Sequence, residues 1–287
     1  MQVCSKRAAS VLNILLQHIT ASHPAAKPQA APALRGLDIT IASGEQVAII
    51  GPSGAGKTTL LQVMGCTLQP SQGQVRLNDV EPWRLSTRQL QKLRGQLFVA
   101  PQVPPLPPRQ RVVTSVLAAR LPAMGFWASI KSLFYPTDIP AAFEALDRFD
   151  VAEKLFDRVD RLSGGERQRV GLARALLAPA SFWLVDEPLS ALDPTRSRLA
   201  IETLTQEARA RGVTLVATLH QVDVAIAHFP RVIGMREGQV AFDLPAQQVT
   251  QGLLAALYDQ FEHELRGEVH VAQAPDSEPT PVVMHCR

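Results

Sequence analysis

Residues 51–58 read GPSGAGKT and directly follow a short apolar run. The pattern G-x-x-x-x-G-K-[ST] between a strand and a helix predicts a loop that binds phosphate groups. Gly54 and Gly56 allow backbone N–H groups to curl around β- and γ-phosphate oxygens, and Lys57 adds a point charge. The Thr58 hydroxyl can coordinate Mg²⁺, and the N-terminus of the following helix adds partial positive charge. A glycine-rich turn can match by accident, but the apolar run before it favours nucleotide binding.

A second apolar run, SFWLVD at residues 181–186, ends with Asp186, and a second acid, Glu187, follows it directly. In a parallel sheet, ligands lie at the carboxyl ends of the strands. Asp186 is therefore predicted to be a magnesium ligand, and Glu187 to face the γ-phosphate and polarise an attacking water. The alternative is a solvated pair of acids at a strand end, which the phosphate loop disfavours.

Two further polar residues follow apolar runs. His220 ends VTLVATLH, and Gln102 ends QLFVAPQ. A lone histidine is most often structural or a helix cap, but at this edge its ring could hydrogen-bond the γ-phosphate. Gln102 could bond the metal ion or the water. Each residue alone is weak support, whereas together with Asp186 and Glu187 they predict four polar side chains around one phosphate group.

A second pair of glycines lies in LSGGERQR at residues 162–169. Ser163 and Glu166 have the S-x-x-E spacing of a helix capping box, which is the structural interpretation of this motif. A cap does not explain Gly164 and Gly165, because glycine in a first helical turn costs stability. Bare backbone donors at a helix N-terminus would allow an anion to approach closely, so a second phosphate-binding surface is predicted here.

The chain alternates between apolar runs and helical patterns. Runs at 47–50, 181–186 and 213–220 are typical of buried parallel strands, and their alternation with helices predicts an α/β fold. Residues from about 103 to 175 carry helical signals and no convincing strand, which predicts a helical insertion. Beyond about residue 261 the periodicity fades and prolines recur, so 261–287 is predicted to be a disordered tail.

Composition argues against several other classes of protein. The 287 residues are 46% hydrophobic and 19% charged, as in ordinary soluble globular proteins. A net charge of +3 without a long Lys/Arg run gives no indication of nucleic-acid binding. Cys4, Cys66 and Cys286 form no CxxC pair, which favours a reducing compartment over a zinc site or disulfides. No apolar run could span a bilayer. VLNILL near the N-terminus resembles the apolar part of a secretory signal, but it is short, and ILLQHIT is equally typical of a strand, so a signal is disfavoured.

The motifs follow one another in a characteristic order. GPSGAGKT, Gln102, LSGGERQR, LVDEP, SALD and His220 together resemble the ATP-binding subunits of ABC transporters, from about Leu12 to Tyr258. The resemblance implies a P-loop NTPase core with a parallel sheet, an antiparallel β-subdomain and a helical subdomain, within residues 1–260. It implies ATP and Mg²⁺ as cofactors. The residues that would hold the phosphates and the metal ion are Gly51, Pro52, Ser53, Gly54, Ala55, Gly56, Lys57, Thr58 and Thr59.

The same resemblance gives the second glycine motif a role. Residues matching Leu162–Glu166 contact the ATP of the opposite subunit in this family, which would involve Ser163, Gly164, Gly165 and Glu166. Ser190–Asp193 matches the loop that communicates across the dimer, so Asp193 is expected near the nucleotide. The implied partners are a second ATPase subunit, identical or related, transmembrane permease subunits and, indirectly, a periplasmic or surface substrate-binding protein. The implied location is peripheral, at the cytoplasmic face of the inner membrane.

Two longer segments are similar to the phosphonate-import branch of the family, LHQVDVAIAHFPRVIGMREGQVAFD and SVLAARLPAMGFWASIKSLF. This similarity implies ATP hydrolysis coupled to uptake of phosphonates or related phosphorus oxyanions. An ABC ATPase for another substrate, or for export, is the alternative. A soluble ABC ATPase acting on DNA or ribosomes would carry a long coiled coil or a second cassette. A P-loop kinase would leave LSGGE and His220 unexplained.

Three positions depart from the family pattern. Where an aromatic residue usually stacks on adenine, the segment ITASHP offers His23, followed by an Ala/Pro-rich insertion. After Gln102 the segment VPPLPPRQ has prolines in place of the usual aromatic residue, on the surface that receives a helix of the membrane partner. Thr58 stands where serine is more frequent in this branch, and it keeps the hydroxyl ligand.

Overall fold

The computed structural model describes residues 12–23, 31–135 and 137–259. These residues form two β-sheets with helices packed on and beside them. The strands are β1 (Ile14–Ala21), β2 (Leu34–Ile41), β3 (Gln46–Ile50), β4 (Gln72–Leu77), β5 (Leu97–Ala100), β6 (Phe182–Asp186), β7 (Thr214–Thr218), β8 (Arg231–Arg236) and β9 (Gln239–Pro245). The helices are α1 (Lys57–Met64), α2 (Thr87–Arg94), α3 (Val112–Leu117), α4 (Phe126–Phe134), α5 (Ile139–Asp147), α6 (Gly164–Leu177), α7 (Pro194–Arg211), α8 (Val222–His228) and α9 (Gln251–Leu257).

The larger sheet has the strand order β5-β6-β7-β3-β8-β9. Pairing is parallel from β5 to β8, and β9 is antiparallel at the edge. Every residue of β3, β6 and β7 is buried, as expected for strands covered on both faces. The three parallel strands predicted from apolar runs are confirmed. The last of them ends at Thr218, two residues before the predicted end at His220, and β8 was not predicted.

The smaller sheet is antiparallel, with the order β2-β1-β4. Ile14 of its central strand pairs with Ile41 on one side and Leu77 on the other. Alternating burial along β2 shows that one face of this sheet packs inward and the other meets solvent. This confirms the antiparallel β-subdomain and the strand assignment of ILLQHIT.

The apolar core lies on both faces of the larger sheet. Successive side chains of a strand point to opposite faces, so Trp183 and Leu184 enter different clusters. Trp183 packs in the cluster that includes Leu172 of α6 and Leu204 of α7. Leu184 packs in the cluster that includes Leu16 of the smaller sheet. The larger sheet is therefore the middle layer of the molecule.

The segment between β5 and β6 is helical. Of the residues described between 103 and 175, none belongs to a named strand, and α3, α4 and α5 precede the long helix α6. This agrees with the predicted helical insertion, while the domain boundaries themselves stay a prediction. The predicted tail, 261–287, lies outside the described residues. Across the part of the chain that the structure describes, no helix is both long and apolar enough to cross a bilayer.

Candidate functional site

Four neighbouring strands end at the same edge of the larger sheet. Because β5, β6, β7 and β3 run parallel, the segments that follow them lie side by side. These segments carry Gln102 after β5, the acids Asp186 and Glu187 at the end of β6, His220 after β7 and residues 51–58 after β3. The expectation that the polar residues and the glycine loop share one edge is confirmed.

The glycine loop connects β3 to α1, as its pattern predicts. Gly54 and Gly56 have φ values of 79° and 96°, a region in which side chains other than glycine are strained. The loop is anchored from outside, since the Gly238 N–H donates to the Ala55 carbonyl at 3.1 Å. The Gly238 carbonyl in turn accepts the Arg35 N–H at 2.9 Å, which ties the loop to the start of β2.

Lys57 is buried at the start of α1. Its Nζ donates to the Gly51 carbonyl at 2.6 Å and to the Pro52 carbonyl at 3.1 Å. The ammonium group is thereby held within the loop, where it adds charge to the helix N-terminus. Of the remaining loop residues, Ser53 and Thr58 are exposed, while Ala55 and Thr59 are buried.

Asp186 is a buried carboxylate at the last position of β6. Its Oδ1 accepts a hydrogen bond from the Thr218 hydroxyl at 2.6 Å. Burial raises its pKa, while hydrogen bonds from Thr218 and Thr58 oppose that rise, and the negative charge of Glu187 adds to it. A carboxylate in this environment is stabilised by a nearby cation. Carboxylate and hydroxyl oxygens are also the donors that Mg²⁺ prefers, so Asp186 and Thr58 suit that ion.

Glu187 is held at both carboxylate oxygens. Gln102 Nε2 donates to Oε2 at 2.6 Å, and His220 Nε2 lies 2.6 Å from Oε1. The sequence predicted that Gln102 bonds a metal ion or water and that His220 bonds the γ-phosphate. In the structure both side chains contact the carboxylate of Glu187, because the ends of β5 and β7 flank the end of β6.

The electrostatic surroundings favour the charged form of Glu187. Burial would raise its pKa, but the hydrogen bond and charge of His220, the charge of Lys57 and the hydrogen bond from Gln102 together hold that pKa below its ordinary value. The side chain is 14% exposed, so a small molecule can still approach it. Glu187 is therefore an ionised, oriented carboxylate beside the glycine loop.

The second glycine motif begins α6 with the predicted capping box. The Ser163 N–H donates to Glu166 Oε2 at 2.7 Å, and the Glu166 N–H donates to the Ser163 hydroxyl at 3.2 Å. The two glycines differ. A Cβ on Gly164 would meet nothing within 4 Å, whereas a Cβ on Gly165 would lie 2.9 Å from the Ala191 carbonyl oxygen. The backbone at Gly164 is therefore open. At Gly165 a side chain is disfavoured because the 190–193 loop packs closely against it.

Asp193 is placed as a helix cap. Its Oδ1 accepts the N–H groups of Thr195 and Arg196 at 3.1 and 3.0 Å, at the start of α7. The backbone N–H of Arg196 is the first cause that lowers the pKa of Asp193. Asp193 lies on the 190–193 loop, in which Ala191 packs against Gly165. The loop therefore brings Asp193 close to the second glycine motif.

His23 and most of the proline segment lie at the surface. His23 is exposed, two residues after β1 ends. The proline segment packs on α6, where Gly171 leaves room for the Pro104 ring: a Cβ at Gly171 would lie 2.7 Å from it. Val103, between Gln102 and Pro104, is 78% exposed.

One residue of this site, Thr218, was not predicted from the sequence. It is fully buried at the end of β7, and its hydroxyl contacts Asp186 and also accepts the Glu187 N–H at 2.9 Å. The signal was present in the sequence, since VATLH places a threonine at the end of an apolar run. Only the strand register shows that it lies opposite Asp186.

A parallel sheet with a glycine loop after one strand and an oriented carboxylate after another defines a P-loop nucleoside triphosphatase. The family model described as ABC transporter matches residues 34–190, more than half of the chain. The chain belongs to this family, and it carries the ATP-binding cassette by which the family is recognised.

Proteins similar to this chain include two that are named as phosphonates import ATP-binding proteins. The phosphonates import ATP-binding protein PhnC 2 of Albidiferax ferrireducens is 66% identical over 96% of this chain and the whole of the relative. The phosphonates import ATP-binding protein PhnC of Polaromonas sp. is 64% identical, again over 96% of this chain and the whole of the relative.

Similar solved structures include a dimeric, post-hydrolysis state of the ATP-binding cassette MJ0796 bound to ADP and Pi. It is 27% identical, with a TM-score of 0.70 over 82% of this chain and all of that chain. The structure of cbiO1 from Clostridium perfringens shares the fold at 22% identity, with a TM-score of 0.67 over 89% of this chain and 98% of that chain.

Proposed function

We propose that this chain is the ATP-hydrolysing subunit of an ABC importer for phosphonates or related phosphorus oxyanions. The observation that carries the hydrolytic part is the Glu187 carboxylate, held between Gln102 and His220 at the sheet edge where the glycine loop begins. The observation that carries the substrate class is the 64–66% identity to phosphonates import ATP-binding proteins over 96% of the chain. Residues 1–260 would form one nucleotide-binding domain, with the helical subdomain at about 103–175.

The glycine loop would bind the phosphates of ATP. Its backbone N–H groups and the N-terminus of α1 offer partial positive charge, and the buried Lys57 ammonium offers a full one. The Lys57 ammonium contacts the loop carbonyls of Gly51 and Pro52, so its charge lies within the loop that would surround the phosphates. The residues of this subsite are Gly51, Pro52, Ser53, Gly54, Ala55, Gly56, Lys57, Thr58 and Thr59.

Thr58, Asp186 and Gln102 would hold Mg²⁺. The Thr58 hydroxyl already hydrogen-bonds Asp186, and Gln102 uses its Nε2 toward Glu187, which leaves its amide oxygen for a cation. A cation held there would supply positive charge to offset the negative charge of the phosphates. The raised pKa of Asp186, caused first by burial, supports a cation beside it.

Glu187 would act as the general base. Its lowered pKa keeps it ionised, although burial opposes this, and His220 supplies the largest opposing contribution. A weakly basic carboxylate is sufficient because orientation of the attacking water provides most of the effect in phosphoryl transfer. His220 would orient the carboxylate and, from the same position, face the γ-phosphate.

A second copy of the cassette would complete the site. The backbone at Gly164, between Ser163 and Glu166, has open space beside it and would allow a phosphate from outside the chain to approach. Gly165 and Asp193 would position that surface through the 190–193 loop. His23, exposed after β1, would contact the adenine ring. ATP would then lie between the glycine loop of one subunit and the Ser163–Glu166 motif of its partner.

The chain would associate peripherally with the membrane and would not span the bilayer. The proposed partners are transmembrane permease subunits, a second ATPase subunit and, through the permease, a periplasmic or surface substrate-binding protein. The proposed location is the cytoplasmic face of the inner membrane. The exposed Val103 and the proline segment after Gln102 form the surface at which the permease would dock.

The test is uptake of a labelled phosphonate by cells that carry the parent gene, a deletion or Glu187→Gln. The proposal predicts uptake with the parent and loss in both other strains, with the variant protein present in normal amount. Unchanged uptake in the deletion strain, measured without a second phosphonate system, would reject the substrate class. Copurification with a membrane protein tests the transport role separately.

A further inference from the structure

Thr218 occupies the last paired position between β6 and β7. The parallel register places it opposite Asp186, and its side chain is fully buried. The Thr218 hydroxyl is 2.6 Å from Asp186 Oδ1 and 2.9 Å from the Glu187 backbone nitrogen. One hydroxyl therefore contacts both residues of the acidic pair.

The direction of both hydrogen bonds follows from the available protons. A hydroxyl has one proton and two acceptor lone pairs, and the Glu187 backbone N–H can only donate, which leaves the hydroxyl proton for Asp186. Thr218 thus donates to Asp186 and accepts from the Glu187 N–H. The donated bond engages Oδ1 of Asp186 and holds that carboxylate at the end of β6.

The accepted bond fixes an uncommon backbone conformation. The pairing of β6 with β7 ends at Asp186, and Glu187 has a φ of 45°, in the left-handed region that non-glycine residues rarely adopt. Such a conformation persists where its surroundings hold it. The Thr218 hydroxyl accepts the amide N–H at this turn, which is the backbone from which the Glu187 side chain projects.

We propose that Thr218 is a positioning residue for ATP hydrolysis, one that sets the Glu187 carboxylate and the Asp186 oxygens relative to the glycine loop. The proposal rests on the proposed function. Thr218 would contact neither the nucleotide nor the attacking water, and would act through Asp186 and Glu187. Its loss is therefore expected to lower kcat more than it changes the KM for ATP.

Thr214, at the other end of the same strand, provides a matched control. It is also fully buried, and its hydroxyl also bridges two partners, accepting the Gly44 N–H at 2.9 Å and donating to the Leu12 carbonyl at 3.3 Å. Thr214 lies at the opposite edge of the sheet from the acids. Substitution of either threonine is therefore expected to reduce stability, whereas only substitution of Thr218 is expected to displace Asp186 and Glu187.

The experiment compares Thr218→Val, Thr218→Ser and Thr214→Val in steady-state ATP hydrolysis, with thermal unfolding of each protein. Thr218→Val is expected to lower kcat by about tenfold to a hundredfold, with a KM for ATP within about threefold of the parent. Thr218→Ser is expected to recover most of kcat because it restores the hydroxyl. Thr214→Val is expected to lose similar stability and to keep a kcat within about twofold of the parent.

A kcat for Thr218→Val no lower than that for Thr214→Val would overturn the proposal, as would a loss that serine does not recover. If the valine variants do not fold, Thr218→Ala and Thr214→Ala are compared by the same criterion. Glu187→Gln distinguishes a failure of the positioning role of Thr218 from a failure of the proposed ATPase function. A parent activity that Glu187→Gln abolishes and Thr218→Val spares rejects the positioning role alone, whereas a parent without ATP hydrolysis rejects the proposed function and this inference with it.

Discussion

His220 Nε2 lies 2.6 Å from Oε1 of Glu187, although 33 residues separate them in the chain. The contact exists because β6 and β7 are parallel neighbours, so that the residues just beyond each strand meet at one edge. Gln102 donates to the other carboxylate oxygen, so both oxygens of Glu187 are held. This geometry makes Glu187 the residue on which hydrolysis should depend most.

Glu187→Gln should retain ATP binding and lose nearly all turnover. The amide keeps the shape and hydrogen-bonding reach of the side chain but cannot accept the proton of an attacking water, so a loss of about 10²–10⁴-fold is expected. Phosphate release measures turnover, and equilibrium binding of a fluorescent ATP analogue measures affinity. Hydrolysis within a few-fold of the parent would show that Glu187 is not the base.

Lys57→Ala should weaken nucleotide binding. Removal of a hydrogen bond between charged groups costs about 1.5–3 kcal/mol, which corresponds to an affinity loss of about tenfold to a hundredfold. Lys92→Ala is the control, because this lysine is exposed on α2 and lies outside the glycine loop. Equal ATP affinity in the two variants would discredit the assignment of residues 51–58 as the phosphate site.

The adjacent glycines of the second motif should respond differently to alanine. Gly165→Ala pushes a Cβ to 2.9 Å from the Ala191 carbonyl oxygen and should reduce the free energy of unfolding by about 1–3 kcal/mol, by displacing the 190–193 loop. Gly164→Ala meets no neighbour within 4 Å and should leave stability unchanged or raise it by up to about 1 kcal/mol. Urea unfolding of both variants provides the comparison. Equal destabilisation would mean that Ala191 does not pack against Gly165.

Cys66 should be unreactive at neutral pH. Burial raises the pKa of its thiol from 9.0 to about 12, against a smaller lowering by the charge of Arg94. The raised pKa contributes stability that is fully present below pH 9 and is lost as pH rises toward 12. In a Cys4→Ser/Cys286→Ser background, iodoacetamide at pH 8 should label Cys66 only after unfolding in urea. Rapid labelling of the folded protein would contradict the burial of this thiol.

The parts of the site that could be predicted are those encoded locally. The glycine loop is one continuous motif, and Asp186 and Glu187 directly end an apolar run. Parallel pairing then brings strand ends together without further information, which is why Gln102 and His220 could be added to the same site.

The parts that could not be predicted depend on register and packing. Thr218 contacts Asp186 because residue 218 pairs with residue 186, a relationship that no local pattern contains. Gly165 has a packing role only because the 190–193 loop folds back onto α6. Strand β8 was missed because Gly234 interrupts its short apolar run, and glycine weakens the signal of a strand.

In the proposed dimer, ATP is bound between two copies of the cassette, by the glycine loop of one and the Ser163–Glu166 motif of the other. Gly164→Asp offers a control, since it would place a negative charge on the open backbone where the partner's phosphate would approach. The variant should therefore bind ATP in its own glycine loop and fail to pair.

Analytical ultracentrifugation of Glu187→Gln saturated with MgATP is the decisive measurement for this dimer. We expect a dimer that forms with ATP, dissociates when ATP is replaced by ADP, and is absent when Gly164→Asp is added. A species that stays monomeric at every ATP concentration, even when the membrane permease is supplied, would contradict it.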